Sequence, residues 1–155
     1  MNINEKIAKI LIEKHLKIST VESCTGGLLS SKLTDISGSS AYITLNLVTY
    51  ANNVKEKMLS VVLNEEGVVS ESCSKQMAKG LYELTESDIC ISTTGIAGPT
   101  GGTTEKPVGL MYSTIYTPKL SMTHKINVDS SLNRVQIKEL FVQKVLENLL
   151  QFLNL

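Results

Sequence analysis

The chain has 155 residues, and its fifteen basic and fifteen acidic side chains cancel to a net charge of zero. This length suits one domain with a proper core, and the balanced charge argues against a nucleic-acid surface, which usually shows as a basic stripe. The three cysteines, Cys24, Cys73 and Cys90, form no CxxC pair, which argues against a disulfide framework or a zinc site and indicates a reduced, cytoplasmic protein.

The sequence also argues against a membrane-spanning segment, a signal peptide and a metal centre. No apolar run approaches the ~18–20 residues of a membrane span, and the polar residues 1–6 lack the apolar core of a signal peptide. The two histidines, His15 and His124, are too few and too isolated for a metal centre built on imidazole. We therefore expect no membrane partner, no metal and no other cofactor.

Changes of hydrophobic periodicity and turn-forming residues divide the chain into elements. In chain order they are a helix over residues 3–15, a strand over 17–21, a helix over 25–34, a strand over 41–50, a helix over 51–59, a helix capped by Ser70 with Cys73, Met77, Ala78, Leu81 and Leu84 as its buried stripe, a strand over 88–94, strands over 108–117 and 120–128, and a helix over 132–153. The apolar run over 41–50 predicts a strand covered on both faces. Alternating helices and strands, broken by one hairpin, predict a single α/β domain: a three-layer α/β/α sandwich around a mixed sheet over residues 1–155.

The turn over residues 23–27 joins the first strand to the second helix. It is expected to put Ser23 at the helix N-terminus, where free backbone N–H groups and the positive dipole end point outward. Ser23 is then either an ordinary helix cap or a nucleophile. In the second case the helix end would bind the oxyanion that forms when the serine attacks a substrate carbonyl. Cys24 is interpreted as a small packing residue, because the sequence puts no histidine near it.

Two further stretches follow the ends of predicted strands. Tyr50 leaves one strand, and Lys55 follows about one helical turn later. Partial desolvation would lower the pKa of Lys55 enough for it to act as a base toward Ser23; the alternative is a solvated surface lysine. The loop over residues 95–107 holds four of the ten glycines, which let a backbone approach a ligand, although a flexible surface loop is the alternative.

Together these stretches resemble the CinA C-terminal domain family, the nicotinamide-nucleotide amidases. The matching motifs, in order, are ESCTGG at residues 22–27, YANNVK at 50–55, GVVS at 67–70, TGIAGPTGG at 94–102 and KPVG at 106–109. The resemblance spans about residues 5–150. It implies an α/β/α domain that hydrolyses the carboxamide of nicotinamide mononucleotide, giving nicotinic acid mononucleotide and ammonia by serine–lysine chemistry without a metal.

The resemblance also implies roles for individual residues. Ser23 would be the nucleophile, Lys55 its base, and Tyr50 a residue that lines the pocket or relays a proton. The residues implied in substrate binding are Thr25, Gly26, Gly27, Thr94, Gly95, Gly98, Gly101, Gly102, Lys106 and Arg134. Arg134 matches an arginine that follows a Gly-Asp pair in similar proteins, whereas Leu132 and Asn133 precede it here.

Three functions are compatible with the sequence. The first is a stand-alone nicotinamide-nucleotide amidase in pyridine-nucleotide salvage, although many members of the family carry an additional N-terminal domain. The second is a catalytically weak nucleotide-binding domain that acts through a partner, which the altered segment before Arg134 suggests. The third is an amidase for another small amide. The expected ligand is a small nucleotide rather than a nucleic acid, and the resemblance implies a homo-oligomer in which the last helix serves the interface or the core.

Overall fold

A five-stranded mixed sheet organises the chain in the computed structural model, which describes residues 1–155. The strands are β1 (Ile18–Glu22), β2 (Ile43–Val48), β3 (Ile89–Gly95), β4 (Leu110–Tyr116) and β5 (Ser121–Asn127), in the spatial order β2-β1-β3-β4-β5. Strand β1 runs parallel to β2 and β3, whereas β4 pairs antiparallel with β3 and β5. The carboxyl ends of β1, β2 and β3 therefore meet at one edge of the sheet, where ligands commonly bind in α/β folds.

Five α-helices cover the two faces of the sheet. They are α1 (Ile3–Glu13), α2 (Leu28–Thr34), α3 (Asn52–Leu59), α4 (Glu71–Thr85) and α5 (Arg134–Leu153). The larger hydrophobic cluster lies under α1, α2 and α5 and includes Phe141 and Leu149, and the smaller one lies under α3 and α4 and includes Met77. The predicted single α/β domain with helices on both faces of a mixed sheet is confirmed. The apolar face of α5 belongs to the core.

Local sequence explains where the helices begin. Asn2 and Asn133 open α1 and α5, each accepting a hydrogen bond from the backbone three residues on, and Glu5 and Gln136 complete the two capping boxes. Ser70 accepts from the backbone N–H three residues later and caps α4, as predicted.

Several predicted boundaries and exposures are wrong. The strand over 41–50 is the shorter β2, and it is not covered on both faces, because it is an edge strand whose side chains are half-buried or exposed. A short 3₁₀ turn, Ser39–Ala41, precedes it. Leu84 lies in the last turn of α4 and is 52% exposed, so the buried stripe of that helix ends at Leu81.

Candidate active site

A buried carboxylate organises the turn over residues 23–27. Glu22 ends β1 and is completely buried. Its carboxylate accepts five hydrogen bonds, from Thr25 Oγ1 (2.6 Å), Gly27 N (3.2 Å), Leu29 N (2.9 Å), Ser30 N (3.0 Å) and Ser30 Oγ (2.5 Å). Glu22 therefore supplies the acceptors that the first turn of α2 needs, and its negative charge lies at the positive end of the helix dipole.

This arrangement changes both interpretations of Ser23. Helix α2 begins at Leu28, with Gly27 as its N-cap at a φ of 101°, so Ser23 does not cap it. The expectation that the helix N–H groups would bind an oxyanion is also wrong, because three of the N–H groups at this helix start donate to Glu22. The Ser23 hydroxyl makes no hydrogen bond within the protein, and it is not among the polar atoms sealed from solvent without a partner. No group of the protein therefore engages this hydroxyl.

Thr93, which belongs to none of the motifs, connects this turn to β3. It is completely buried, and its Oγ1 accepts a hydrogen bond from Ser23 N at 3.3 Å and lies 2.8 Å from Thr25 Oγ1. The Thr25 side chain is consequently committed to Glu22 and Thr93, so any contact of Thr25 with a ligand would use its backbone. The N–H groups of Cys24 and Thr25 donate to no oxygen acceptor, which leaves two free donors directly after Ser23.

Lys55 is a buried cation beside this turn. Its residue is 1% exposed, its Nζ donates to the Tyr50 carbonyl oxygen at 3.0 Å, and it belongs to none of the ion pairs. Burial lowers the pKa of Lys55 from the ordinary 10.5, and negative charge on Cys73 or Cys24 would act in the opposite direction. The alternative interpretation of Lys55 as a solvated surface lysine is therefore wrong.

The structure links Ser23 and Lys55 indirectly. Against the larger effect of burial, the charge of Lys55 lowers the pKa of the thiol of Cys24, the neighbour of Ser23. No hydrogen bond joins Lys55 Nζ to Ser23 Oγ, and the acceptor that Nζ has in the protein is the Tyr50 carbonyl oxygen. Catalytic hydrogen bonds are often long in proteins without substrate and tighten when the substrate binds.

A cavity of about 200 Å³ opens at the same edge of the sheet. Its lining residues are Cys24, Tyr50, Gly95, Ile96, Ala97, Gly98, Thr100, Gly101 and Arg134. Cys24 belongs to the larger hydrophobic cluster, as its interpretation as a small packing residue predicts, and it also contributes to the lining of this cavity. Burial raises the pKa of Cys24 to about 12, so at neutral pH Cys24 is a protonated thiol and a poor nucleophile.

Arg134 bridges the two sides of the cavity. Its Nη1 donates to the Gly98 carbonyl oxygen at 2.6 Å, and its Nη2 donates to Tyr50 Oη at 2.9 Å. The segment that departs from the family pattern still delivers this arginine, because Asn133 caps α5 by accepting from Gln136 N at 2.9 Å. Asparagine and aspartate are comparably good N-caps, so the missing Asp does not displace the helix start.

The glycines of the loop over residues 95–107 are required largely by packing. A Cβ on Gly98 would overlap Val108 Cγ1, and a Cβ on Gly102 would lie 2.8 Å from Val108 N. A Cβ on Gly101 would make an ordinary van der Waals contact with Ile96 Cγ2 at 3.9 Å, so its φ of 90° is what favours glycine there. Gly95, Gly98 and Gly101 line the cavity, whereas Gly102 does not.

Two other predicted substrate-binding residues join loops outside the cavity. The buried Thr94 donates from Oγ1 to the Val68 carbonyl oxygen at 2.9 Å. Lys106 Nζ donates to the Glu66 carbonyl oxygen. These contacts hold the loop over residues 95–107 against the segment before α4.

No group of three or more His, Cys, Asp or Glu side chains is arranged to hold a metal ion. None of the helices combines the length and hydropathy that crossing a bilayer would require.

The chain is similar in sequence to known proteins over almost its whole length. The family described as the CinA C-terminal domain matches residues 1–153. A relative from Caldanaerobacter subterraneus subsp. tengcongensis, named a competence-damage inducible protein, is 41% identical over 141 residues, which cover 89% of this chain and 34% of the relative. A CinA-like protein from Chlorobium limicola is 47% identical over 112 residues, which cover 70% of this chain and 26% of the relative. The chain thus spans about a third or less of the length of these curated relatives.

Solved structures share the fold. The competence/damage inducible protein CihA from Agrobacterium tumefaciens is 36% identical, with a TM-score of 0.88 over 99% of this chain and 96% of that one. A CinA superfamily protein from Klebsiella pneumoniae is 26% identical, with a TM-score of 0.89 over 99% of both chains.

Proposed function

The chain belongs to the CinA C-terminal domain family, and on that premise we propose that it hydrolyses the carboxamide of nicotinamide mononucleotide to nicotinic acid mononucleotide and ammonia. The names of the relatives describe competence and damage induction rather than a reaction, so the proposal depends on the site. The observation that carries it is Lys55, a buried ammonium with no acidic partner whose charge acts on Cys24, the residue after Ser23. Burying a lone cation is costly, and a depressed lysine pKa is what a general base for serine needs.

In the proposed reaction, neutral Lys55 accepts the proton of the Ser23 hydroxyl while Ser23 Oγ bonds to the carboxamide carbon. The tetrahedral intermediate collapses when Lys55 returns this proton to the amide nitrogen, so that ammonia leaves and an ester on Ser23 remains. Water then attacks the ester with Lys55 as the base, which releases the carboxylate and regenerates Ser23. One water is consumed, and no electrons are exchanged with a cofactor.

The oxyanion of both tetrahedral intermediates needs hydrogen-bond donors that are already in position. Helix α2 cannot supply them, because its first N–H groups are bonded to Glu22. The N–H groups of Cys24 and Thr25 are the better candidates, since they follow the nucleophile directly and lack oxygen acceptors. For the proton transfer, the lone pair of neutral Lys55 Nζ has to reach the Ser23 hydroxyl, which requires a change within one flexible side chain, while an N–H of Nζ can still donate to the Tyr50 carbonyl oxygen.

The test is ammonia release from nicotinamide mononucleotide, with chromatography of the acid product. Ser23→Ala and Lys55→Met are expected to reduce the rate to background. Two controls, Ser31→Ala on the exposed side of α2 and Lys57→Met on the exposed side of α3, are expected to retain it. Wild-type release no greater than that of Ser23→Ala would refute the proposed reaction.

A binding domain without turnover is the second candidate. The missing hydrogen bond between Lys55 Nζ and Ser23 Oγ favours it, because the contact through which the proton would pass is not formed in the structure. Nicotinamide mononucleotide that binds tightly and is recovered unchanged would support this candidate. A panel of other small amides in the ammonia assay would identify an amidase with a different substrate.

A further inference from the structure

A second cation lies over the serine turn. The Nζ of Lys138, in α5, is 3.2 Å from the position that a Cβ on Gly26 would occupy. Gly26 is exposed and has a φ of 61°, so the ammonium rests against bare backbone at the surface of the turn. A side chain at this position would meet the ammonium.

The ammonium of Lys138 has no hydrogen-bond acceptor in the protein. Its Nζ makes no hydrogen bond, and none of the three ion pairs includes it. The residue is nevertheless half-buried. An ordinary surface lysine projects its ammonium into water, whereas the Lys138 ammonium lies over the backbone of the turn that carries Ser23.

Arg134 and Lys138 form one cationic face. They are four residues apart on α5 and so lie one above the other on the same side of the helix. Arg134 lines the cavity, and no acidic side chain lines it. The nearby carboxylate of Glu22 is completely buried and already accepts five hydrogen bonds. Arg134 uses two of its five N–H donors on Gly98 and Tyr50, whereas no donor of the Lys138 ammonium has a partner in the protein.

We propose that Lys138 binds the phosphate group of the substrate and thereby selects a mononucleotide over the corresponding nucleoside. The inference rests on the proposed function, since it takes the ligand to present a carboxamide to Ser23. A phosphate dianion supplies the acceptors that the three donors of Lys138 lack, and an ammonium–phosphate hydrogen bond is among the stronger ones in proteins. The long side chain spans from α5 to Gly26, so the anionic end of the ligand lies between α5 and the turn.

The experiment compares binding of nicotinamide mononucleotide and nicotinamide riboside by isothermal titration. Ser23→Ala serves as the background so that the ligand is not consumed. Adding Lys138→Met, which keeps the packing of the stem but removes the charge, is expected to weaken mononucleotide binding about tenfold or more, as loss of a charge-assisted hydrogen bond does. Riboside binding should stay within about twofold, and Lys138→Arg should restore most of the mononucleotide affinity. Lys144→Met, an exposed lysine on the same helix paired only with Glu147, is the matched control and should behave like the background.

Two outcomes would overturn the inference: equal weakening of both ligands by Lys138→Met, or no weakening of either. Steady-state kinetics separate it from the proposed reaction. If wild-type protein releases ammonia and Lys138→Met leaves KM unchanged, the inference fails and the reaction stands. If wild-type protein releases no ammonia but Lys138→Met selectively loses mononucleotide binding, the reaction fails and the inference stands.

Discussion

Replacing Lys55 with methionine is expected to abolish ammonia release while making the protein more stable. Lys55 is 1% exposed, and its Nζ has a single acceptor, the Tyr50 carbonyl oxygen. Methionine has a similar length and no charge, so it can fill the same space without desolvating an ammonium. A residue retained for stability would not show this opposition between stability and activity.

The magnitude follows from two opposing terms. The effective cost of burying one ion is several kcal/mol after relaxation, and losing the bond from the charged donor to the Tyr50 carbonyl returns about 1.5–3 kcal/mol of that. The net gain at neutral pH is about 1–3 kcal/mol, or about 2–12 °C in Tm for a chain of this size.

The sign of the pH dependence gives a second check on the same variant. The pKa of Lys55 is lowered in the folded protein, so the unfolded chain binds more protons between the folded pKa and the ordinary value. Wild-type stability therefore rises with pH across that window, and the advantage of Lys55→Met should shrink there.

Urea denaturation and thermal unfolding, followed by circular dichroism at several pH values, measure both effects. Lys57→Met in the last turn of α3 is the matched control, because Lys57 is exposed and sits at the favourable end of the helix dipole. It should lose up to about 1 kcal/mol and keep its activity. A folded Lys55→Met protein that is less stable than wild type by about 1 kcal/mol or more would refute the reasoning.

Three further outcomes are expected. The kcat/KM for ammonia release should rise with pH along an ionisation below 10.5, because the reaction needs neutral Lys55; a flat pH–rate profile would contradict this. Glu22→Gln should cost about 2–3 kcal/mol in urea denaturation, since one amide hydrogen bond loses its charged acceptor and the helix start loses its anion. Glu139→Gln, an exposed change on α5, should cost almost nothing, and equal stability of the two variants would contradict the capping role of Glu22. Thr93→Val should lower kcat about tenfold by releasing Ser23 N while leaving KM within about twofold, and Thr93→Ser should restore it; a kcat unchanged in Thr93→Val would mean that this contact does not position the nucleophile.

Much of the fold could be predicted because its information is local. The periodicity of α1 and α5 and the serine cap of α4 are properties of short segments, and the structure has all three helices. The exposure of β2 could not be predicted in the same way. An apolar run indicates a strand but does not reveal whether another strand lies beside it, and β2 is an edge strand.

The features of the site also separate into those that short segments of sequence encode and those that depend on tertiary packing. The motifs correctly pointed to the edge of the sheet where Tyr50, Gly98 and Arg134 now line one cavity. Burial of Lys55 depends on how α3 packs against α4, which no spacing along the chain expresses. Glu22 had one local signal, an acidic residue at the end of a buried strand and just before a glycine turn. Lys138 had none, because its contact with Gly26 crosses more than a hundred residues of chain.

The hydrogen bonds of Glu22 bear on the proposed role of Ser23 as the nucleophile, because they leave no helix N–H group for the serine hydroxyl to accept. A capping serine accepts a hydrogen bond from the helix backbone, which fixes its oxygen and withdraws the lone pair that attack requires. Here Glu22 takes over those N–H groups, and the two glycines delay the helix until Leu28. The serine hydroxyl remains unbonded as a result. Because these N–H groups donate to Glu22, the end of the helix is not a source of positive potential for the oxyanion of the proposed reaction. The Cys24 and Thr25 N–H groups and protonated Lys55 would stabilise that negative charge instead.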